Sequence, residues 1–253
     1  MRADKYFAEH FGSRTRAKAA LLHGEVLKNG TPLSPDDEVS EGEVFSFLER
    51  SPFVSQGGDK LERALTVFDE SVEERVIADL GASTGGFTDC ALRRGAKRIY
   101  CVDVGENQLA PALKGNPRIV IMDNTNARYL AADSFPEPVD DVVADLSFIS
   151  LRLILPAVNK ILPPGGRAFV LFKPQFECGG VGLSKRGILP QGKHAPLLRD
   201  FYRFCTEISL MPCGVTNAPV HEKKNVEYIV FLRKGGSPIS ESEFIKNTEN
   251  IQK

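Results

Sequence analysis

Tryptophan is absent from this sequence, and methionine, histidine and cysteine are scarce, with three, four and five copies. The histidines stand far apart and show no ligand spacing, so no metal is expected. The odd number of cysteines, none in a C-x-x-C pair, favours reduced thiols in a cytoplasmic protein. No uncharged apolar run approaches the roughly 18 residues of a membrane-spanning helix, and no signal peptide opens the chain. Stable membrane insertion is therefore not expected.

The chain also lacks a net charge that would draw it to nucleic acid as a whole, because its formal net charge is −1. Any basic binding surface must therefore be local. With 42% apolar and 26% charged residues, the composition is typical of a soluble globular protein. The length of 253 residues allows one large domain and a small one.

A glycine-rich turn, DLGASTGGFTD, occupies residues 79–89. The apolar residues 76–78 before it predict a buried strand, and residues 87–94 predict a helix. Glycines ahead of a helix N-terminus let free backbone N–H groups approach a ligand. The turn does not fit the dinucleotide fingerprint, because Ser83 replaces its second glycine, and no Gly-Lys-Ser/Thr follows as in a nucleotide phosphate loop.

An acid at the strand end followed by these glycines suits S-adenosylmethionine, with Asp79 binding the methionine ammonium and the turn's N–H groups its carboxylate. Asp103 ends the next predicted strand, 24 residues later. A ribose-binding acid belongs about there, roughly 20 residues on. Asp123 and Asn124 end the third strand and are expected to bind adenine. The cofactor candidates are Asp79, Gly81, Ser83, Thr84, Gly85, Gly86, Phe87, Asp103, Asp123, Asn124 and Asp145. The alternative is an ordinary strand–helix turn without a ligand.

Residues 1–48 are predicted to form a separate small α+β domain. Its predicted elements are a helix over 14–23, a strand and Asn-Gly turn over 26–30, and short strands at Val39 and 44–48. Residues 1–30 carry six Lys/Arg against three acids, whereas 31–49 carry six acids and no base. The candidate contacts to RNA phosphates are Arg14, Arg16, Lys18 and Lys28. An ordinary solvated helix face is the alternative.

Residues 49–58 contain Pro52 and Gly57-Gly58 and predict a linker to a second domain over 59–253. Strand and helix patterns alternate there, which predicts a doubly wound, mostly parallel, seven-stranded Rossmann-like α/β sheet. The predicted strands are 76–80, 98–104, 118–122, 140–146, 167–172, 215–220 and 227–233, and the predicted helices are 87–94, 106–114, 151–162 and 195–210. Right-handed crossovers place the strands' carboxyl ends on one rim.

Further polar residues stand at strand ends. Asp145 ends the fourth predicted strand, Lys173 ends the fifth, and Glu227 opens the last, while Lys60 follows the glycine pair. A lysine at the end of a buried strand needs a partner or a function. A purely structural salt bridge from Lys173 to Asp145 or Glu227 is the alternative to a catalytic role.

Several long segments, VSQGGDKLERAL, DLGASTGGFTDCALRRGA, VADLSFISLRLILPA, FKPQFE and NVEYIVFL, closely resemble the TlyA family of ribosomal-RNA methyltransferases, which are also called hemolysins. The catalytic domain of that family is similar to the FtsJ ribose 2′-O-methyltransferases. The N-terminal segment SRTRAKAALLHGEVLKNG resembles the S-four-type (alpha-L) RNA-binding module. The resemblance covers nearly the whole chain. It implies S-adenosylmethionine as methyl donor and a cytidine ribose in ribosomal RNA, free or in ribosomal subunits, as acceptor.

The resemblance also implies a catalytic Lys-Asp-Lys-Glu tetrad, which falls on Lys60, Asp145, Lys173 and Glu227. Glu222 competes with Glu227 for the acid role, and Glu227 is favoured by its Val-Glu-Tyr context. Lys173 is expected to be the base, Asp145 to hold it, and Glu227 to orient the ribose or the other lysine. The rival hypotheses are a membrane-lytic protein, as the hemolysin name suggests, and an RNA-binding protein without activity.

Overall fold

The computed structural model describes residues 1–22, 24–47, 51–219 and 225–249. The chain divides into two compact units, Met1–Pro52 and Phe53–Lys253. The boundary differs from the predicted linker over 49–58, because residues 53–58 belong to the second unit and Gly57 and Gly58 already begin a helix.

The first unit packs two helices against a small antiparallel sheet. Its elements are α1 (Ala3–Tyr6), α2 (Arg14–Leu22), β1 (Val26–Lys28), β2 (Thr31–Pro32) and β3 (Phe45–Phe47). The strand order is β2-β1-β3. Phe7, Ala17, Leu21 and Val26 are among the buried residues of its core. The strand predicted at Val39 is wrong: this side chain is buried, but only an isolated bridge between Arg2 and Glu38 forms beside it.

The second unit is built on a seven-stranded sheet of order β6-β5-β4-β7-β8-β10-β9. The strands are β4 (Val76–Leu80), β5 (Arg98–Val102), β6 (Ile119–Met122), β7 (Asp141–Ala144), β8 (Arg167–Phe172), β9 (Leu210–Asn217) and β10 (Tyr228–Lys234). β4 to β8 are mutually parallel, and β10 runs antiparallel to both β8 and β9. The predicted doubly wound, mostly parallel α/β sheet is confirmed.

Helices cover both faces of this sheet. They are α3 (Gly57–Val67), α4 (Gly86–Arg93), α5 (Leu155–Ile161), α6 (Pro174–Glu177), α7 (His194–Glu207) and α8 (Glu241–Glu249). Two separate apolar clusters result, and they divide the strand residues by alternation: in β4, Ala78 and Leu80 belong to one cluster and Ile77 to the other. The two buried faces explain why β4 is apolar along nearly its whole length.

The helix predicted over 106–114 is wrong, because these residues form only bends and turns. Their apolar spacing has another cause. Leu109 and Leu113 are buried against the glycine-rich turn, where a side chain at Gly85 would lie 2.6 Å from Leu109 Cδ1 and 2.5 Å from Leu113 Cδ1. The last two strands also differ in their bounds: β9 begins at Leu210, earlier than predicted, because it pairs along the whole of β10.

Candidate active site

The directions of three strands bring an acid, a lysine and a second acid to one edge of the sheet. Asp145 directly follows β7 and Lys173 directly follows β8, and these strands are parallel neighbours. The antiparallel β10 pairs Tyr228 with Phe172. Glu227 directly precedes Tyr228 and therefore lies at the same edge as Lys173. Residues that are far apart in sequence thus meet at the carboxyl rim of the parallel strands.

The four predicted tetrad side chains form one continuous chain of ion pairs. Lys173 Nζ lies 2.7 Å from Asp145 Oδ1, and Lys60 Nζ donates to Asp145 Oδ2 at 2.9 Å. Lys60 Nζ also donates to Glu227 Oε2 at 3.0 Å. Asp145 therefore bridges two ammonium groups, and Lys60 bridges two carboxylates. The competing Glu222 lies outside the described residues.

The four side chains of this ion-pair chain have different electrostatic surroundings. Burial opposes the charge of Lys60, but Asp145 and Glu227 outweigh that effect and raise the pKa of Lys60. Burial would raise the pKa of Asp145, but the two lysines outweigh it and lower that pKa. Lys60 and Asp145 therefore stay ionised at neutral pH. Lys173 is 6% exposed and contacts one carboxylate and the neutral Ser147 Oγ, to which it donates at 3.0 Å.

Lys60 reaches the site because its helix lies unusually close to the glycine-rich turn. A side chain at Gly86 would lie 2.9 Å from Gly58 N and 3.0 Å from Gly57 Cα, so only glycine fits there. The three glycines let the first turns of α3 and α4 come into backbone contact. That contact sets the position of α3, which carries Lys60 in its first turn.

The turn itself touches the segment that follows β7. Gly81 has a φ of +81°, and a side chain there would lie 2.8 Å from Leu146 Cδ2 and 3.1 Å from the carbonyl oxygen of Asp145. Glycine is required on both grounds. Ser83 also has a positive φ, of +48°. The backbone of the turn thus runs directly beside Asp145.

Asp79 is a buried acid without a bonded cation in the part of the chain that the structure describes. Its side chain is 1% exposed, and Oδ2 accepts a 2.6 Å hydrogen bond from the Thr88 hydroxyl. Burial raises the pKa of Asp79 to about 7. A carboxyl in this environment gains strongly from a positively charged partner.

The next two predicted cofactor acids hold backbone loops. Asp103 accepts from Ser83 N and Gly105 N, both at 2.8 Å, and Asp123 accepts from Asn107 N at 2.8 Å. Through Asp103 the end of β5 is tied to the glycine-rich turn at the end of β4.

These groups surround a cleft at the carboxyl rim. Its lining residues are Ser55, Gly57, Lys60, Asp79, Gly81, Ser83, Thr84, Phe87, Asp145, Ser147 and Lys173. The structure therefore brings most of the predicted turn residues and three tetrad members into one cleft. Asp103, Asp123 and Asn124 are not part of this lining and lie at the ends of β5 and β6.

The combination of a glycine-rich turn with the tetrad beside one cleft agrees with the result of a sequence comparison. The family model described as FtsJ-like methyltransferase matches residues 53–234. The chain belongs to the FtsJ-like methyltransferase family. It is therefore a methyltransferase, and the matched residues span β4 to β10 and every tetrad position.

Relatives of this FtsJ-like methyltransferase extend over nearly the whole chain. It is 38% identical to the 16S/23S rRNA (cytidine-2′-O)-methyltransferase TlyA of Mycobacterium tuberculosis, with 87% of this chain and 85% of that protein covered. It is 35% identical to hemolysin A of Brachyspira hyodysenteriae, covering 90% and 98%. A solved structure of a provisionally named hemolysin from Streptococcus thermophilus has a TM-score of 0.76 and 35% identity, covering 97% and 94%.

Because some relatives are named hemolysins, it matters whether any helix has the length and apolar character of a membrane-spanning helix. Among residues 1–22, 24–47, 51–219 and 225–249, no helix has both the length and the apolar character needed to cross a bilayer.

Two residues of the FtsJ-like site escape sequence reasoning. Ser147 accepts a hydrogen bond from Lys173, and Ser55 lines the cleft. For Ser147 a signal exists, because it lies two positions after Asp145, and alternate residues of an extended chain point to the same side.

Phe148 is also unusual: its ring is 91% exposed beside the site, and its φ is +62°. A bulky residue with that backbone is strained, and such strain is concentrated at functional sites.

In the N-terminal unit, the four predicted RNA contacts fall into two groups. Arg14 Nη2 donates to the buried Asp4 at 3.0 Å, and Lys28 Nζ donates to Glu43 at 2.6 Å. These two cations are engaged in internal ion pairs. Arg16 and Lys18 are exposed on α2, and their side chains have no bonded partner within the described chain.

Proposed function

We propose that this FtsJ-like methyltransferase transfers a methyl group from S-adenosylmethionine to the ribose 2′-hydroxyl of a cytidine within ribosomal RNA. The observation that carries the proposal is the continuous chain Lys173–Asp145–Lys60–Glu227 beside the glycine-rich turn. The names of the 30–38% identical TlyA relatives support the substrate class, because they are rRNA (cytidine-2′-O)-methyltransferases.

The cleft fits S-adenosylmethionine by the chemistry of its donors. Asp79 is a buried carboxyl without a bonded cation among the described side chains, and the ammonium of the methionine part supplies that charge. The turn from Gly81 to Gly86 brings backbone N–H groups close enough for the carboxylate of the same ligand. Asp103, Asp123 and Asn124 would bind the ribose and adenine. When bound, S-adenosylmethionine supplies an electrophilic methyl group on a sulfonium.

Lys173 is the proposed proton acceptor. A ribose hydroxyl is a poor nucleophile at neutral pH, so a positioned base is worth about 10²–10⁴ in rate. Lys60 is held between two carboxylates that keep it protonated, whereas Lys173 contacts one carboxylate and a neutral hydroxyl. Lys173 also lines the cleft together with Asp79 and Gly81, next to the proposed cofactor site.

The remaining tetrad members orient the reacting groups. Asp145 holds Lys173 and Lys60 at one carboxylate, so that it sets the separation of the two lysine nitrogens. Lys60 keeps its positive charge and would bind an oxygen of the ribose or phosphate. Glu227 fixes Lys60 from the other side. Alignment of the hydroxyl with the sulfonium methyl is the second large contribution to the rate.

We further propose that residues 1–52 form an S-four-type RNA-docking domain. Arg16 and Lys18 on α2 have exposed, unengaged cations that suit phosphate contacts, whereas Arg14 and Lys28 stabilise the unit through Asp4 and Glu43.

The decisive test is nucleotide-resolution mapping of ribose methylation. Purified protein, S-adenosylmethionine and unmodified ribosomal RNA or subunits are incubated, and the Lys173→Ala protein serves as control. We expect new 2′-O-methyl marks at discrete cytidines that depend on Lys173. Wild-type protein that binds the cofactor but leaves every ribose unmethylated would refute the proposal. Leakage of liposomes by wild type and Lys173→Ala alike would instead favour a membrane-lytic function.

A further inference from the structure

The segment between β7 and α5 carries two groups of the site but has little support from its own backbone. It begins with Asp145, and Ser147 receives a hydrogen bond from Lys173. Among the described residues, the N–H groups of 147–150 donate no hydrogen bond to another element. Phe148, in the middle of the segment, keeps a φ of +62°. A non-glycine residue relaxes out of that conformation unless its surroundings hold it.

Glu177, which follows the neighbouring strand β8, supports this segment through side-chain hydrogen bonds. It lies at the end of α6, the helix that begins directly after Lys173. Its Oε2 accepts from the Ser150 hydroxyl at 2.6 Å, and its Oε1 accepts from Leu151 N at 2.7 Å. Both oxygens of the Glu177 carboxylate therefore accept hydrogen bonds from the far end of the segment that starts at Asp145.

A second contact joins α6 to the middle of the segment. The rings of Phe148 and Phe176 lie 5.2 Å apart, and Phe176 directly precedes Glu177. The α6 helix thus touches the segment at its middle and at its end. Asp145 begins this segment, and Lys173 directly precedes α6. The bonds of Glu177 to Ser150 and Leu151 therefore connect the two stretches of chain that carry these tetrad residues.

The environment of Glu177 is costly for a carboxylate. In the described part of the chain its side chain forms no ion pair, and burial raises its pKa, an effect that the charge of Arg152 offsets only in part. Its two short hydrogen bonds, from Ser150 and Leu151, specify one geometry of the segment.

We propose that Glu177 is a positioning residue for methyl transfer, acting through Ser150 and Leu151 to hold Asp145 and Ser147 against Lys173. This inference rests on the proposed function of the site. Glu177 itself does not touch the reacting atoms. Its loss would let the segment shift, and misplacement of a catalytic group by about 1 Å can cost on the order of 10²-fold in rate.

The test compares Glu177→Ala with a control truncation, Glu137→Ala. Glu137 also accepts from a side-chain hydroxyl, that of Tyr100 at 3.1 Å, and it additionally pairs with Arg98 at 2.8 Å. It lies ahead of the amino end of β7, at the opposite edge of the sheet. Calorimetric titration with S-adenosylmethionine gives the affinity and the number of intact sites. Single-turnover methyl transfer to ribosomal RNA is then expressed per intact site.

We expect Glu177→Ala to keep the cofactor affinity and stoichiometry of the wild type while its rate per site falls by about tenfold or more. Ser150→Ala should show a smaller loss, because the Leu151 bond remains, and the double variant should be no slower than Glu177→Ala alone. Glu177→Gln should recover most of the rate, since its amide can accept from Leu151 N and donate to the Ser150 hydroxyl. Glu137→Ala should match the wild type.

Two results would overturn the inference. One is a normal rate per site in Glu177→Ala, because any loss of total activity would then come from a fall in stoichiometry and Glu177 would be merely structural. The other is a Glu177→Gln enzyme as slow as Glu177→Ala. Failure of the proposed function looks different, because the wild type itself would then bind cofactor and methylate no ribosomal RNA.

Discussion

Replacing Asp79 by Asn should stabilise the ligand-free protein and abolish cofactor binding. The acid is buried, and its pKa is raised from 3.8 to about 7 by desolvation. In the unfolded chain the same carboxyl ionises near its ordinary value, so at neutral pH folding requires a proton to be bound or a charge to be buried. The asparagine removes that cost and keeps an oxygen that can accept from the Thr88 hydroxyl.

The size of the effect follows from the pKa. A rise from 3.8 to about 7 corresponds to about 4 kcal/mol, at about 1.4 kcal/mol per pH unit. The sign is that of an acid whose folded-state pKa is raised: the destabilisation is absent below about pH 4, grows up to about pH 7 and is then constant. The advantage of Asp79→Asn should follow the same profile. At pH 8 it would raise the melting temperature on the order of 10 °C.

The assay is thermal or urea unfolding of wild type and Asp79→Asn between pH 4 and pH 8, without and with S-adenosylmethionine. Without ligand, the variant's advantage should grow with pH and level off near pH 7. With ligand, only the wild type should gain stability, and its cofactor affinity should fall below pH 7 as Asp79 becomes protonated. A variant that is less stable at pH 8, or that still binds S-adenosylmethionine normally, would refute the reasoning about Asp79.

Other consequences can be measured on the same protein. Lys173→Arg keeps the charge but cannot accept a proton near neutral pH, so single-turnover methyl transfer should fall by roughly 10²-fold or more with RNA and cofactor affinity retained, while Lys60→Arg should cost less. A near-normal rate in Lys173→Arg would leave this lysine only a positioning role. Deleting residues 1–52 should preserve cofactor affinity, weaken RNA binding and flatten the salt dependence of that binding. Filter binding at several salt concentrations measures both effects, and an unaltered RNA affinity at moderate salt would argue against a docking domain. Gly86→Ala should displace α3 and cost about 1–3 kcal/mol of stability along with activity, as urea unfolding and methyl-transfer assays would report; a fully active, stable variant would contradict the close helix contact.

Much of the methyltransferase unit was predictable, because its signals are local. The apolar run before Asp79 and the glycines after it indicate a strand, a turn and a helix without any knowledge of distant residues. Alternation of strands and helices indicates a parallel sheet, and the strand ends then share one rim. The tetrad positions came from the family resemblance together with their places at strand ends. The roles of its members remain predictions.

Local patterns failed where distant residues decide the conformation. Leu109 and Leu113 have helical spacing, yet they are buried against Gly85 in a chain of turns. Charge alone did not distinguish Arg14, which pairs with the buried Asp4, from the exposed Arg16. Both outcomes depend on which residues lie opposite in space.

By itself, the sequence determined the succession of elements and the chemistry available at the rim, because short-range periodicity and residue type carry that information. Tertiary structure alone decided which charges meet. The antiparallel register of β10 against β8 places Glu227 beside Lys60, and the glycine contact between α3 and α4 brings Lys60 to Asp145. The carboxyl of Glu177 reaches Ser150 for the same reason. Ion pairs and hydrogen bonds act over about 3 Å, and only the packed fold sets distances that short between residues so far apart in the chain.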